Sequence, residues 1–295
     1  MEGFHLRHRS SGGAGRLPVV LLHGFTGSGR SWGEEILDPL AAWGPLVVVD
    51  LPGHGEAQRR WPQAPSAPPE FSDVVARLAA IPHELGYESA HWIGYSMGGR
   101  LALAVAVEHP LVASCLVLEG ASPGLGTSVE RAERRRRDDA LANRILERGV
   151  ERFVDDWMEL PLFASQKALP DPARQRSRRL RLGNDPQGLA AALRGMGTGR
   201  QPSYWDRLGE LRQPVLLMTG ALDSKFEAIS EAMATRISRA HRVSIPGAGH
   251  TCHLEAPQAW TATVRAFLDP PQTDEPGRSR SGSETLDDGI APGIE

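Results

Sequence analysis

Gly94-Tyr95-Ser96-Met97-Gly98-Gly99 is the stretch that decides the fold. Residues 89–93 before it are typical of a short buried strand, and residues 100–107 after it of an apolar helix. A serine between two glycines at a strand-to-helix junction indicates a nucleophile elbow, a turn so tight that side chains in place of the glycines would collide. The same pattern also fits a serine that caps a helix. The elbow therefore has to be judged from the rest of the chain.

Composition excludes several classes of protein. The 295 residues are 40% hydrophobic and 23% charged, which is ordinary for a soluble globular protein, and the net charge of −3 gives no indication of nucleic-acid binding. Two cysteines form no disulfide framework and fit a reducing compartment. We see no secretion signal and no apolar segment near the ~20 residues that span a bilayer. We expect a cytoplasmic monomer that neither binds nucleic acid nor crosses a membrane.

The order of predicted elements indicates an α/β hydrolase fold, a mostly parallel sheet with helices on both faces. Strands alternate with helices, one of them over residues 71–85, through residues 1–125, and the alternation resumes over 200–269. Between them, residues 126–199 are predicted to be helical throughout, which indicates a helical lid inserted over one end of the sheet. Residues 270–295 contain almost nothing apolar and are predicted to be disordered.

Three residues in the right order predict a catalytic triad. A serine becomes a nucleophile or base only when a histidine takes its proton, and a carboxylate must orient that histidine. In this fold the chain order is serine, acid, histidine. Asp223 and His250 follow the strands after the lid, so both should lie at the same sheet edge as Ser96. Glu119, also just past a strand, is a rival acid, and Asp223 could alternatively only cap a helix.

The remaining sequence features indicate an oxyanion hole and no bound cofactor. The backbone N–H groups of Phe25 and Met97 should form the hole, because they follow the first buried strand and the nucleophile. The glycine-rich residues 23–29 lack the Lys-Ser/Thr of a phosphate-binding loop. The pair His250 and His253 has no cluster of partners and favours a structural role over metal binding. We expect neither cofactor nor metal.

Several longer motifs resemble one family within this fold, the 2-succinyl-6-hydroxy-2,4-cyclohexadiene-1-carboxylate synthases (MenH) of menaquinone biosynthesis. The resemblance extends from about residue 17 to residue 268. Its least specific parts are His23-Gly-Phe25 and the elbow, and its most specific are Arg100, Asp223-Ser-Lys-Phe226 and the lid. The other matching segments are 22–28, 50–55, 119–124, 161–165 and 248–250.

The resemblance implies a lyase that removes pyruvate from a small substrate with three carboxylates. Ser96, activated by His250 and Asp223, would abstract a ring proton without forming an acyl-enzyme, and the oxyanion hole would hold the developing enolate. The substrate-binding positions implied by the family are Arg100, Arg134, Arg181, Tyr95 and Trp157. Arg134 lies in a run of four arginines, so one of its neighbours could face the pocket instead.

Two other functions remain open at this point. A serine hydrolase acting on esters or carbon–carbon bonds of anionic molecules would use the same three residues covalently. A non-catalytic binding protein of this fold is a third possibility, but such proteins typically lack a triad member. The abundance of arginine in residues 126–199 favours an anionic ligand in either case, because arginine binds carboxylates through two parallel hydrogen bonds.

Overall fold

The computed structural model describes residues 3–13, 15–59 and 68–269. Seven strands form one sheet in the order β1-β3-β2-β4-β5-β6-β7. β1 pairs with β3 in the antiparallel direction at one edge, and every other pairing is parallel. The strands are β1 His5–Arg9, β2 Val19–Leu22, β3 Leu46–Asp50, β4 Ala90–Tyr95, β5 Ala113–Glu119, β6 Val215–Gly220 and β7 Ala240–Ile245.

Helices cover both faces of this sheet, as predicted. β2 is buried along its whole length, which matches its uninterrupted run of apolar residues. One apolar cluster lies on the face covered by α2 and α4, and the other lies beneath α1 and α10. The helices are α1 Glu34–Trp43, α2 Phe71–Ala79, α3 Ile81–Glu84, α4 Met97–Glu108, α5 Ser128–Met158, α6 Asp171–Leu182, α7 Pro186–Met196, α8 Ser224–Ala234, α9 Cys252–Glu255 and α10 Pro257–Leu268.

Among the described residues, the lid region between β5 and β6 consists of helices and loops and contains no strand. α5, α6 and α7 lie there with a 3₁₀ segment at Pro161–Ala168, and α5 bends at Gly149, where φ is +78°. The lid has an apolar cluster of its own, made by one face of α5 against α7. The segment predicted to be disordered, 270–295, lies outside the described residues.

Two differences from the predicted elements have local causes. The helix predicted over 71–85 is two helices, because Pro82 at the start of α3 cannot donate the backbone hydrogen bond that would continue α2. Residues 31–42, whose apolar spacing also predicts a helix, begin with a 3₁₀ turn, and α1 starts only after Gly33, whose φ is +74°.

Candidate active site

Ser96 stands on a strained turn between β4 and α4. Its backbone has φ +51° and ψ −108°, a conformation rare for a residue with a side chain. The turn closes because its glycines lack side chains: a Cβ on Gly94 would lie 2.4 Å from the Gly98 carbonyl oxygen, and one on Gly98 would lie 2.1 Å from that of Leu22. The Ser96 N–H donates to the Glu119 carbonyl oxygen at 2.8 Å, which ties the turn to β5. This geometry is that of a nucleophile elbow.

A continuous hydrogen-bonded chain joins Ser96, His250 and Asp223. His250 Nε2 lies 3.2 Å from Ser96 Oγ, and His250 Nδ1 lies 2.7 Å from Asp223 Oδ2. His250 and Asp223 are buried, and Ser96 is partly open to a cavity. The other oxygen of Asp223 accepts from the Phe226 N–H at 3.3 Å, so the aspartate caps α8 and also holds the histidine. Asp223 therefore makes both contacts at once, one to the helix N-terminus and one to His250.

Glu119, the rival acid, is occupied elsewhere. Its carboxylate accepts from the backbone N–H of His253 at 3.2 Å and from Trp260 Nε1 at 2.8 Å, and it lies 2.9 Å from His253 Nδ1. His250 and His253 thus contact different carboxylates. Among the described residues, no group of three or more His, Cys, Asp or Glu is arranged to hold a metal ion.

The predicted oxyanion-hole residues both line the cavity beside Ser96. Met97 is the first residue of α4, so its N–H is one of the groups at a helix N-terminus that have no acceptor within the helix. Phe25 follows β2 at the same edge of the sheet, and a Cβ on the preceding Gly24 would lie only 3.5 Å from Ser96 Cβ. The loop after β2 therefore approaches the serine closely.

Arg100 and Arg134 bring positive charge into a cavity of about 220 Å³ beside Ser96. Arg100 is buried and donates to the Gln201 side-chain oxygen at 3.1 Å and to the Met196 carbonyl oxygen at 2.9 Å, both neutral acceptors. Burial lowers its pKa to about 10, helped by the charge of Arg134, so Arg100 stays protonated at neutral pH. Arg134 donates a hydrogen bond from its Nε to Asp138 Oδ1, at 2.8 Å. Both guanidinium groups can still bind an anion.

Arg181 lies behind the cavity rather than in it. It lines a separate space of about 30 Å³, and Phe25 and Tyr95 line both spaces. Its guanidinium donates to the Thr26 hydroxyl and lies 5.3 Å from the centre of the Phe163 ring, while its Nε has no partner among the described residues. Burial lowers its pKa. In this conformation Arg181 and the cavity with Ser96 are separated by aromatic side chains.

Tyr95 and Trp157 form part of the aromatic wall. The Tyr95 hydroxyl is hydrogen-bonded to Thr251 at 2.8 Å, and burial raises its pKa above the ordinary value. Trp157 packs edge-on against Phe25 with ring centres 5.4 Å apart, and its buried Nε1 has no partner among the described residues. Both residues line the cavity beside Ser96.

Known proteins of similar sequence establish the family of this chain. Residues 18–257 match the family described as alpha/beta hydrolase fold. A putative 2-succinyl-6-hydroxy-2,4-cyclohexadiene-1-carboxylate synthase of Bacillus subtilis is 44% identical over 252 residues, which are 85% of this chain and 89% of the relative. The synthase of Pectobacterium atrosepticum is 34% identical, over 87% of this chain and 95% of its own. The chain belongs to the MenH family. The predicted family and fold are confirmed.

Solved structures agree with this MenH assignment. MenH from S. aureus superimposes with a TM-score of 0.84 at 34% identity, covering 90% of this chain and 97% of its own. A thermophilic esterase from Thermogutta terrifontis, solved with malate bound, gives 0.76 at 27% identity, covering 90% and 92%. The same scaffold therefore also carries ester hydrolysis in a more distant protein.

Sequence reasoning missed three residues that lie near His250 in this MenH-family chain. The rings of Phe226 and Phe163 lie 4.6 Å and 6.1 Å from the His250 ring, and Lys225 lines the cavity next to Phe226. The motif Asp223-Ser-Lys-Phe226 was a signal for two of them, since a strand-end loop that supplies the acid brings its neighbours to the same edge. The third, Phe163, lies in segment 161–165, which also resembles the family, but no strand end near it predicted that it would lie beside His250.

Proposed function

We propose that this protein eliminates pyruvate from 2-succinyl-5-enolpyruvyl-6-hydroxy-3-cyclohexene-1-carboxylate, giving 2-succinyl-6-hydroxy-2,4-cyclohexadiene-1-carboxylate. The observation that carries the proposal is one cavity in which the Ser96–His250–Asp223 chain meets Arg100, a buried cation with only neutral partners. The substrate has three carboxylates, and a cavity that contains positive charge suits such an anion. The names of the two curated relatives describe the same synthase activity.

The proposed reaction is a 1,4-elimination across the ring. The C2 proton is acidic because it lies next to the succinyl carbonyl. Its removal creates the C2–C3 double bond, moves the existing C3–C4 double bond to C4–C5, and breaks the C5–O bond. The electron pair of that bond leaves with enolpyruvate, which takes up one proton and becomes pyruvate. The reaction therefore needs no oxidant, metal or added water.

In this proposal Ser96 is the base. Ser96 Oγ takes the C2 proton while its own proton passes to His250 Nε2, 3.2 Å away, and Asp223 stabilises the imidazolium from the Nδ1 side. The N–H groups of Phe25 and Met97 would donate to the enolate oxygen that forms on the succinyl carbonyl. Preorganised donors of this kind stabilise an enolate as well as a tetrahedral intermediate.

We assign Arg100 and Arg134 to the substrate's carboxylates, with Tyr95 and Trp157 as part of the wall against which the ring packs. Arg181, the third arginine implied by the family, could reach the cavity only if Phe25, Tyr95 or Phe163 moved. Its role as a direct ligand is therefore tied to a movement of one of these aromatic side chains.

The second candidate is hydrolysis of an anionic ester, in which Ser96 would attack a carbonyl covalently. The elbow geometry is the observation in its favour, because a strained serine at a sheet edge is the usual platform for acyl transfer. The esterase of similar structure uses the same scaffold. The two candidates differ in whether pyruvate or an alcohol is released.

The test is to follow pyruvate release from the enolpyruvyl substrate with lactate dehydrogenase, beside hydrolysis of p-nitrophenyl acetate. We expect pyruvate release by the wild-type protein and a loss of about 10³-fold or more in Ser96→Ala, because the base is gone. Ser128→Ala, which changes an exposed serine at the start of α5, is the control and should behave like wild type. Ester hydrolysis without pyruvate release would favour the hydrolase.

A further inference from the structure

Lysine is scarce in this chain, and one of its two lysines lines the cavity beside the catalytic histidine. Lysine and arginine together number 33, and only Lys167 and Lys225 are lysines. Lys167 is exposed in the lid and paired with Glu159 at 2.7 Å. Lys225 lies on α8, two residues after Asp223. An ammonium therefore occurs at the site in a chain that elsewhere uses guanidinium groups almost exclusively.

The position of the Lys225 ammonium is defined by its aromatic neighbour. Its Nζ lies 5.4 Å from the centre of the Phe226 ring, and that ring lies 4.6 Å from the His250 ring. A cation near the face of an aromatic ring is attracted by the ring's quadrupole. The ammonium of this exposed lysine therefore lies on the side of the cavity that α8 and His250 form, whereas Arg100 and Arg134 reach the cavity from α4 and α5.

Local electrostatics do not explain a cation at this position. Lys225 is in the first turn of α8, where the helix dipole favours acidic side chains and disfavours basic ones. No carboxylate of the described residues lies within 4 Å of its Nζ. Glu227, the acid of the same turn, is hydrogen-bonded to Thr219 and pairs with Arg242 at 3.4 Å instead. Residues that break a local rule without internal compensation are expected at functional sites.

We propose that Lys225 binds one of the substrate's carboxylates at the α8 wall of the cavity, as a third positive group beside Arg100 and Arg134. The inference rests on the proposed elimination reaction. Lys225 would act on binding and orientation, not on proton transfer, since Ser96 and His250 already form the proton path. Three cations of the cavity then face three carboxylates, with Arg181 outside it in this conformation.

The kinetic test compares Lys225→Gln, Lys225→Arg and the control Lys167→Gln in the pyruvate-release assay. For Lys225→Gln we expect KM to rise about three- to tenfold with kcat within about twofold, because an exposed charge pair contributes modestly to binding. Lys225→Arg keeps the charge and should restore most of the affinity. The difference in KM between Lys225→Gln and wild type should shrink as salt is raised, since salt screens exposed charges.

A second test uses acetylation, which the scarcity of lysine makes simple to read. N-hydroxysuccinimidyl acetate is added to the Ser96→Ala protein with and without the enolpyruvyl substrate, and the modified sites are mapped by mass spectrometry. We expect the substrate to slow acetylation of Lys225 at least threefold and to leave Lys167 unchanged.

The outcomes separate this inference from the function on which it rests. If the wild-type protein releases no pyruvate, the proposed function fails first. If the wild type is active but Lys225→Gln has an unchanged KM at low salt, or if the substrate leaves acetylation of Lys225 unaltered, only the lysine assignment is overturned. A fall in kcat without a change in KM would also contradict it.

Discussion

The backbone of Ser96 shows how much of the site depends on its neighbours. A φ of +51° in a residue with a side chain costs free energy. The conformation persists because the close packing at Gly94 and Gly98 and the hydrogen bond to Glu119 hold the backbone of Ser96 in place. The sequence predicted this elbow because glycine spacing is local information. The Glu119 carboxylate, by contrast, contacts His253 and not His250. This contact joins residues that are 134 positions apart in the sequence. No local pattern could have distinguished the two carboxylates.

His54 is a buried histidine, and its burial predicts that the folded protein loses stability in acid. Burial, together with the nearby charge of His23, lowers its pKa from 6.5 to about 3 in the folded protein. The unfolded chain therefore takes up a proton below pH 6.5 that the folded protein does not accept until about pH 3. Stability present above pH 6.5 is lost as the pH falls, by about 2 kcal/mol between pH 7 and pH 5 for this one group. Urea unfolding at the two pH values measures that loss.

The variant that isolates this effect is His54→Leu. It removes the titrating group, so its loss of stability between pH 7 and pH 5 should be smaller than that of wild type by about 2 kcal/mol, even though the variant is less stable at both. His83→Leu, which changes an exposed histidine in α3, is the matched control and should retain the wild-type pH dependence. An identical pH dependence in His54→Leu and wild type would show that His54 is accessible to protons in the folded state.

At the scale of elements, the lid directly contacts the backbone of loops at the edge of the sheet. A Cβ on Gly188 of α7 would lie 2.5 Å from the Gly53 carbonyl oxygen, in the loop after β3. Beside this contact, the Asn184 side chain accepts from the Gly55 N–H at 3.0 Å and donates to the Thr26 carbonyl oxygen at 2.7 Å. Lid and core therefore meet without room for a side chain at residue 188.

Gly188→Ala should push α7 away from the core. We expect the free energy of unfolding to fall by about 1–3 kcal/mol, the usual cost of adding atoms to a packed contact. The kcat/KM for pyruvate release should fall as well, because Ala192 and Leu193 of the same helix line the cavity. Gly126→Ala is the control, since its Cβ would meet only the Glu130 carboxylate at 3.7 Å. Equal stability and activity in both variants would argue against a tight lid contact.

The elements were predictable where their cause is local. Short apolar runs predicted the buried strands, and helical residues from 126 to 199 predicted a lid, although its boundaries remain a prediction. The bend of α5 at Gly149 was not predicted, because one glycine in a long helical pattern is compatible with a straight helix. The place of Arg181 behind Phe25 and Tyr95 was not predicted either. It depends on how α6 packs on the sheet, which neither spacing nor family resemblance specifies.

At the scale of the whole molecule, the parallel sheet brings together groups that are far apart in sequence. β2, β4, β6 and β7 each end at the same edge, and each is followed by a loop that supplies one part of the site. The alternation of strands and helices predicted a mostly parallel sheet, and the comparisons confirm that fold. No helix of the described residues is long and apolar enough to cross a membrane. The monomeric state and the cytoplasmic location remain predictions.

The two cysteines make opening of the molecule measurable, because both thiols are buried and free. Burial raises the pKa of Cys115 to about 12 and raises that of Cys252 well above its ordinary value, where the charges of Glu119 and Glu255 add to the effect.

A thiol reacts as its thiolate, so the folded protein should react with Ellman's reagent at least 100-fold more slowly than a free cysteine, whose pKa is about 8.5. In 6 M guanidinium chloride, added as the reference condition, both thiols should react at once. Cys252 lies at the start of α9, directly after the loop that carries His250, whereas Cys115 lies in β5, an interior strand of the sheet. If Cys252 reacted in the folded protein while Cys115 did not, the His250 loop would have to open independently of the sheet, and the preformed Ser96–His250–Asp223 chain would hold for only part of the molecules.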